Sequence, residues 1–60
     1  MKQWQQRVYD ERAELMDKYT KLKHFLVTAS VKEIELDLLK AQADIMAEYI
    51  QILDRRMARW

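Results

Sequence analysis

Sixty residues allow one domain, and a core that small rarely holds a chain together without a disulfide, a metal or a partner. With no cysteine and a single histidine, disulfides, thiolate metal sites and multi-histidine sites within one chain are excluded, which leaves association as the route to stability. The net charge is +1, with six basic and four acidic residues in positions 1–30 and five and six in the rest, so there is no polybasic tail and duplex DNA is not an expected partner.

Glycine and proline are both absent, so tight turns and built-in helix breaks are scarce. Half of the residues are hydrophobic and about a third are charged, the composition of a helical bundle. The longest uncharged run with real apolar content, His24 to Val31, is too short to span a bilayer. The start, MKQWQQR, lacks the apolar stretch of a secretory signal. A cytoplasmic protein is the expectation, with no membrane partner.

The first element in chain order is a helix over about residues 3–27. Val8, Leu15 and Leu22 recur every seven residues, and Trp4, Tyr19 and Leu26 fall beside them on one stripe. The opposite side holds Gln3, Gln6, Asp10, Glu14, Asp17 and Lys21. Glu14–Lys18 and Asp17–Lys21 are i,i+4 pairs in the favourable orientation, each worth ~0.3 kcal/mol. A flanking seam, Tyr9, Arg12, Met16, Tyr19 and Lys23, mixes aromatic and basic side chains. Aromatic faces can stack on a base, and Arg or Lys can hold a phosphate. The same residues also suit an oligomer interface with basic side chains reaching to water. His24 faces away from the Leu15 stripe and receives no role.

Residues 28–30, Thr-Ala-Ser, form the expected turn. Ser30 followed by Glu33 matches a capping box opening a second helix. One uninterrupted helix is the alternative, since nothing here forbids helical dihedrals.

The second helix is expected over about residues 31–58. Leu36, Leu39, Ala43, Met46, Ile50, Leu53, Met57 and Trp60 form an unbroken seam at spacings of three and four. A second seam, Val31, Ile34, Leu38, Ala41, Ile45 and Ile52, lies about 120° around the helix. Tyr49 sits between them and Gln42 lies near the middle of the apolar arc, where a buried glutamine bonded to a neighbouring helix is expected. The first helix can cover one seam. The other exceeds what a soluble monomer normally exposes. The expected architecture is therefore all-α: a two-helix antiparallel hairpin, one domain over 1–60, assembling into a symmetric helical-bundle homo-oligomer, dimer or higher. Its interface would draw on Leu38, Leu39, Gln42, Ile45, Met46, Tyr49, Ile52 and Leu53.

Arg55, Arg56, Arg59 and Trp60 close the sequence. Cations are favoured at a helix C-terminus by the macrodipole alone. Arg56, however, projects from the apolar arc near Ile52 and Tyr49. In a hairpin this end meets Lys2, Trp4, Arg7 and Val8, which brings several positive groups and two tryptophans together.

No catalytic constellation is present. Asp44 and Glu48 are carboxylates on an open polar face, no Glu-x-x-His motif supports a di-iron bundle, and no glycine-rich phosphate loop exists. No enzyme, metal or cofactor is expected.

The order Arg7-Val8, Glu11, Glu14-Leu15, Lys18, Leu22, Phe25-Leu26, then Leu38-Leu39-x-x-Gln42, Met46, Tyr49, Leu53 and Arg56 resembles small helical-hairpin proteins of tailed phages, a crAss-phage-related family of unassigned function. That family's connection often carries a proline and an aromatic residue, and this chain has neither there. The resemblance covers nearly the whole chain and implies a phage origin and an accessory role against host defence, in the host cytoplasm. Two functions then compete. One is an oligomeric sponge that captures a nucleotide immune signal, of the cyclic oligonucleotide or ADP-ribose type, through Tyr9, Arg12, Tyr19, Lys23, Arg55, Arg56, Arg59 and Trp60. The other is an inhibitor that lays its amphipathic second helix on a host protein.

Overall fold

A computed structural model describes residues 2–29 and 32–60. Helix α1 spans Gln3–Thr28 and helix α2 spans Glu33–Ala58, and the two pack against each other as a hairpin. The single-helix alternative is thereby set aside.

Both ends of α1 have a local cause. At the start of α1 the backbone N–H of Lys2 donates to Gln5 Oε1 at 2.8 Å, and Gln6 N–H donates to the Lys2 carbonyl at 3.1 Å. Lys2 cannot reciprocate through its side chain, because an ammonium has no acceptor. At the other end the Thr28 hydroxyl donates to the His24 carbonyl at 2.9 Å, one turn back. Ala29 then turns extended, with φ −93° and ψ 147°, while its N–H still bonds the Phe25 carbonyl. So α1 runs one residue further than its apolar stripe suggests.

Helix α2 starts two residues later than its pattern predicts. Its N-cap is Lys32, extended at φ −62° and ψ 147°, with no side-chain cap bond. The expected Ser30–Glu33 capping box involves Ser30, which lies outside the described residues. None of the described residues has a positive φ, so these caps need no glycine.

The core is thin and lies along one line between the helices. Val8, Ala43, Ile50 and Leu53 are buried, Leu53 completely. Leu15, Leu22 and Leu26 on α1, and Leu36, Leu39, Met46 and Met57 on α2, are half-buried along the same line. Of the first α2 seam only Trp60 is exposed, while Ile34, Leu38, Ala41, Ile45 and Ile52 of the second all are. Gln42 is exposed too, contrary to the expected buried position. It sits about 100° around α2 from Ala43, on whose side α1 lies.

Candidate functional site

The C-terminal turn of α2 builds the most concentrated positive feature. Ile52, Arg55, Arg56 and Arg59 line an open groove of about 250 Å³. The spacings of one, three and four that put three guanidinium groups around one apolar floor follow from helical periodicity. Among the described residues no ion pair engages Arg55, Arg56 or Arg59. The last carbonyls of α2 favour these cations, yet a guanidinium also offers a planar fork that fits a phosphate.

The same end of the hairpin carries an aromatic pair. Trp4 and Trp60 meet edge to face, with centroids 5.5 Å apart and planes at 87°. This is the juncture expected of an antiparallel hairpin. Both rings stay nearly half exposed, leaving indole surface available for stacking.

On one edge of the interhelical line the Tyr49 hydroxyl donates to Glu11 Oε2 at 2.5 Å. This hydrogen bond to a carboxylate, helped by desolvation, raises the Tyr49 pKa above its ordinary value, while Arg56 pulls the other way. On the other edge Arg12 Nε donates to Asp54 Oδ1 at 2.8 Å, and that bond raises the Arg12 pKa. Lys23 hangs over the Tyr19 ring, 6.0 Å from its centroid.

The eight expected ligand residues therefore fall into separate groups. Arg55, Arg56 and Arg59 share a groove, and Trp60 lies at the same end of the hairpin. Tyr9, Arg12, Tyr19 and Lys23 lie along α1. There Arg12 is occupied by Asp54, and Lys23 lines a different groove with Leu26, Val27, Lys40, Ala43 and Asp44, of about 390 Å³. No single hairpin gathers both groups. The expected interface residues divide as well. Leu53 is buried inside the chain and Leu39 and Met46 half so, while Leu38, Gln42, Ile45, Tyr49 and Ile52 remain exposed.

Sequence reasoning missed Glu11, Asp54 and Lys40 as neighbours of the candidate residues. Each lies on a polar or flanking position whose partner depends on how one helix is rotated against the other. Among the described residues no group of three or more His, Cys, Asp and Glu side chains could hold a metal ion. None of the described helices is long and apolar enough to cross a membrane.

Against this geometry, a family model described as Sequestin matches residues 2–59. The chain belongs to the Sequestin family. The match takes in both helices of the hairpin, so the arginine groove and the tryptophan pair, apart from Trp60 itself, lie within the Sequestin region. No curated protein and no solved structure gave a match.

Proposed function

We propose that the chain is a phage accessory protein that counters host antiviral defence as an oligomeric sponge, binding a nucleotide immune signal without catalysis. The observation that carries this reading is the groove of Arg55, Arg56 and Arg59 at the end of the hairpin that also holds the exposed Trp4–Trp60 pair, with none of the three arginines in an ion pair among the described residues. The family name is compatible with sequestration, and the phage setting rests on the sequence resemblance. Phosphates would take the guanidinium forks, and a base would stack on Trp or Tyr for ~1–3 kcal/mol. One thin hairpin encloses little, so the groove calls for a second wall from another copy. Stoichiometric capture alone lowers a free signal, and the host cytoplasm is where such a signal would be met.

Calorimetry with cyclic di- and trinucleotides and ADP-ribose derivatives tests the reading. Binding that weakens with salt and with Arg56→Ala supports it, and silence across the panel removes it. The exposed stripe of α2 favours a second reading, an inhibitor docked on a host defence protein. A host protein co-purifying at fixed stoichiometry would favour that alternative.

A further inference from the structure

The surface left open on α2 has a definite shape. Ile34, Leu38, Ile45 and Ile52 are 79%, 63%, 65% and 49% exposed, one above another along the helix. Ala41 and Tyr49 complete the stripe, and Arg56 continues it. The steps from 34 to 56 run four, three, four, four, three, four, the same read in either direction. Rotated about Ile45, Leu38 falls on Ile52, Ala41 on Tyr49 and Ile34 on Arg56. A small residue meets a large one, and isoleucine meets the aliphatic stem of an arginine.

Surface area points to the same need. The chain exposes 5044 Å². A folded monomer of 7.4 kDa is expected to expose about 4,200 Å². The surplus, roughly 800 Å², is the area one partner contributes to a standard interface.

Charge decides the direction. On the flank beside the stripe, α2 carries Asp37 near its start and Arg55 near its end, at the same angular position. An antiparallel two-fold axis keeps that flank on the same side in both copies. Arg55 then lies about two residues, or ~3 Å along the axis, from Asp37 of the second copy. A parallel pair would instead bring three arginines from each copy to one level, a repulsive arrangement unless an anion sits between them.

We propose that two copies pair antiparallel along this stripe, about a two-fold axis through Ile45, with the arginine end of each α2 against the acidic start of the other. The proposal rests on the oligomeric half of the function proposed above and is independent of its ligand. It deepens that reading, because each arginine groove gains its missing wall from Ile34 and Asp37 of the second copy. A dimer then holds two grooves at opposite ends, one per chain, where a parallel dimer would share one. An incoming phosphate would compete with Asp37 for Arg55.

The chain has no cysteine, so single introduced thiols report the geometry without background. Under mild oxidation without any ligand, Ile45→Cys is expected to form a covalent dimer. Leu38→Cys and Ile52→Cys are each expected to stay uncrosslinked alone and to join when mixed. Asp37→Arg should weaken dimerisation roughly tenfold or more, and adding Arg55→Asp to it should restore association. Self-crosslinking of Leu38→Cys overturns the proposal in favour of a parallel pair. A monomer in sedimentation at micromolar concentration, with helicity intact by circular dichroism, overturns it outright. Failure of the sponge reading would instead appear as a calorimetric blank on a dimer that crosslinks as expected.

Discussion

Tyr49 and Arg56 show how much a single neighbour changes what a side chain can do. Tyr49 gives its proton to a hydrogen bond with Glu11, and its pKa is raised. A raised folded-state pKa means that this bond contributes stability in full below the ordinary tyrosine value near 10 and loses it as pH rises through the higher folded value. Tyrosinate absorbance should therefore show Tyr49 titrating above the ordinary value. In Glu11→Gln that midpoint should move back down, because the charged acceptor is gone. An unchanged midpoint would mean that the bond does not persist in solution. For Arg56 the distinguishing substitution is lysine, which keeps the charge and loses the planar fork. If a phosphate is held in a bidentate manner, Arg56→Lys should lower ligand affinity nearly as far as Arg56→Ala, by roughly tenfold, with helicity unchanged. A lysine variant that binds as well as the parent would reduce the groove to simple charge attraction. The anomalous place of Arg56 on an apolar arc was visible in the sequence. The Glu11 and Asp54 contacts were not, because periodicity fixes which residues share a face but not how the two helices are rotated against each other.

At the scale of the helix, the two seams of α2 have opposite fates, and both seams were legible from spacing alone. Which of them α1 would cover was not, since both are apolar enough. The first seam is the covered one: its Ala43, Ile50 and Leu53 are buried, Leu53 completely. The helix boundaries were legible to within two residues. The start of α2 falls two residues past the expected one, within the ordinary spread of helix ends. Burial predicts a steep contrast between positions. Leu53 is completely buried, so Leu53→Ala should cost about 2–5 kcal/mol in a denaturant titration. Val27 is 84% exposed and off the α2 stripe, so Val27→Ala should stay within ~0.5 kcal/mol. Equal losses at the two positions would mean that Val27 is covered in the working assembly, through the groove it lines with Lys23 and Lys40.

The molecule as a whole is a rod, 44 × 14 × 13 Å, with a radius of gyration of 14.0 Å. A compact fold of sixty residues would have a radius near 10 Å. A rod of two helices has one internal interface and cannot bury more than one side of each, so the number of apolar stripes and the number of covered faces do not match. The sequence argued for an oligomer on this ground, and the pairing proposed above required knowing which stripe α1 leaves open. The sharpest test of the mismatch is a charge placed at the centre of the open stripe. Ile45→Asp puts two carboxylates at the proposed two-fold axis, where each would lose water and face its own copy. Sedimentation velocity should then show a smaller species than the parent at equal concentration. Gln51→Asp makes a similar change in charge on the polar side of the same helix and should sediment as the parent does. The core line through Val8, Ile50 and Leu53 is untouched by either substitution, so any fall in helicity of Ile45→Asp beyond that of Gln51→Asp measures how far the hairpin depends on its second copy to stay folded. If Ile45→Asp sediments with the parent, the open stripe is not where copies meet, and the proposed assembly must be built on another face.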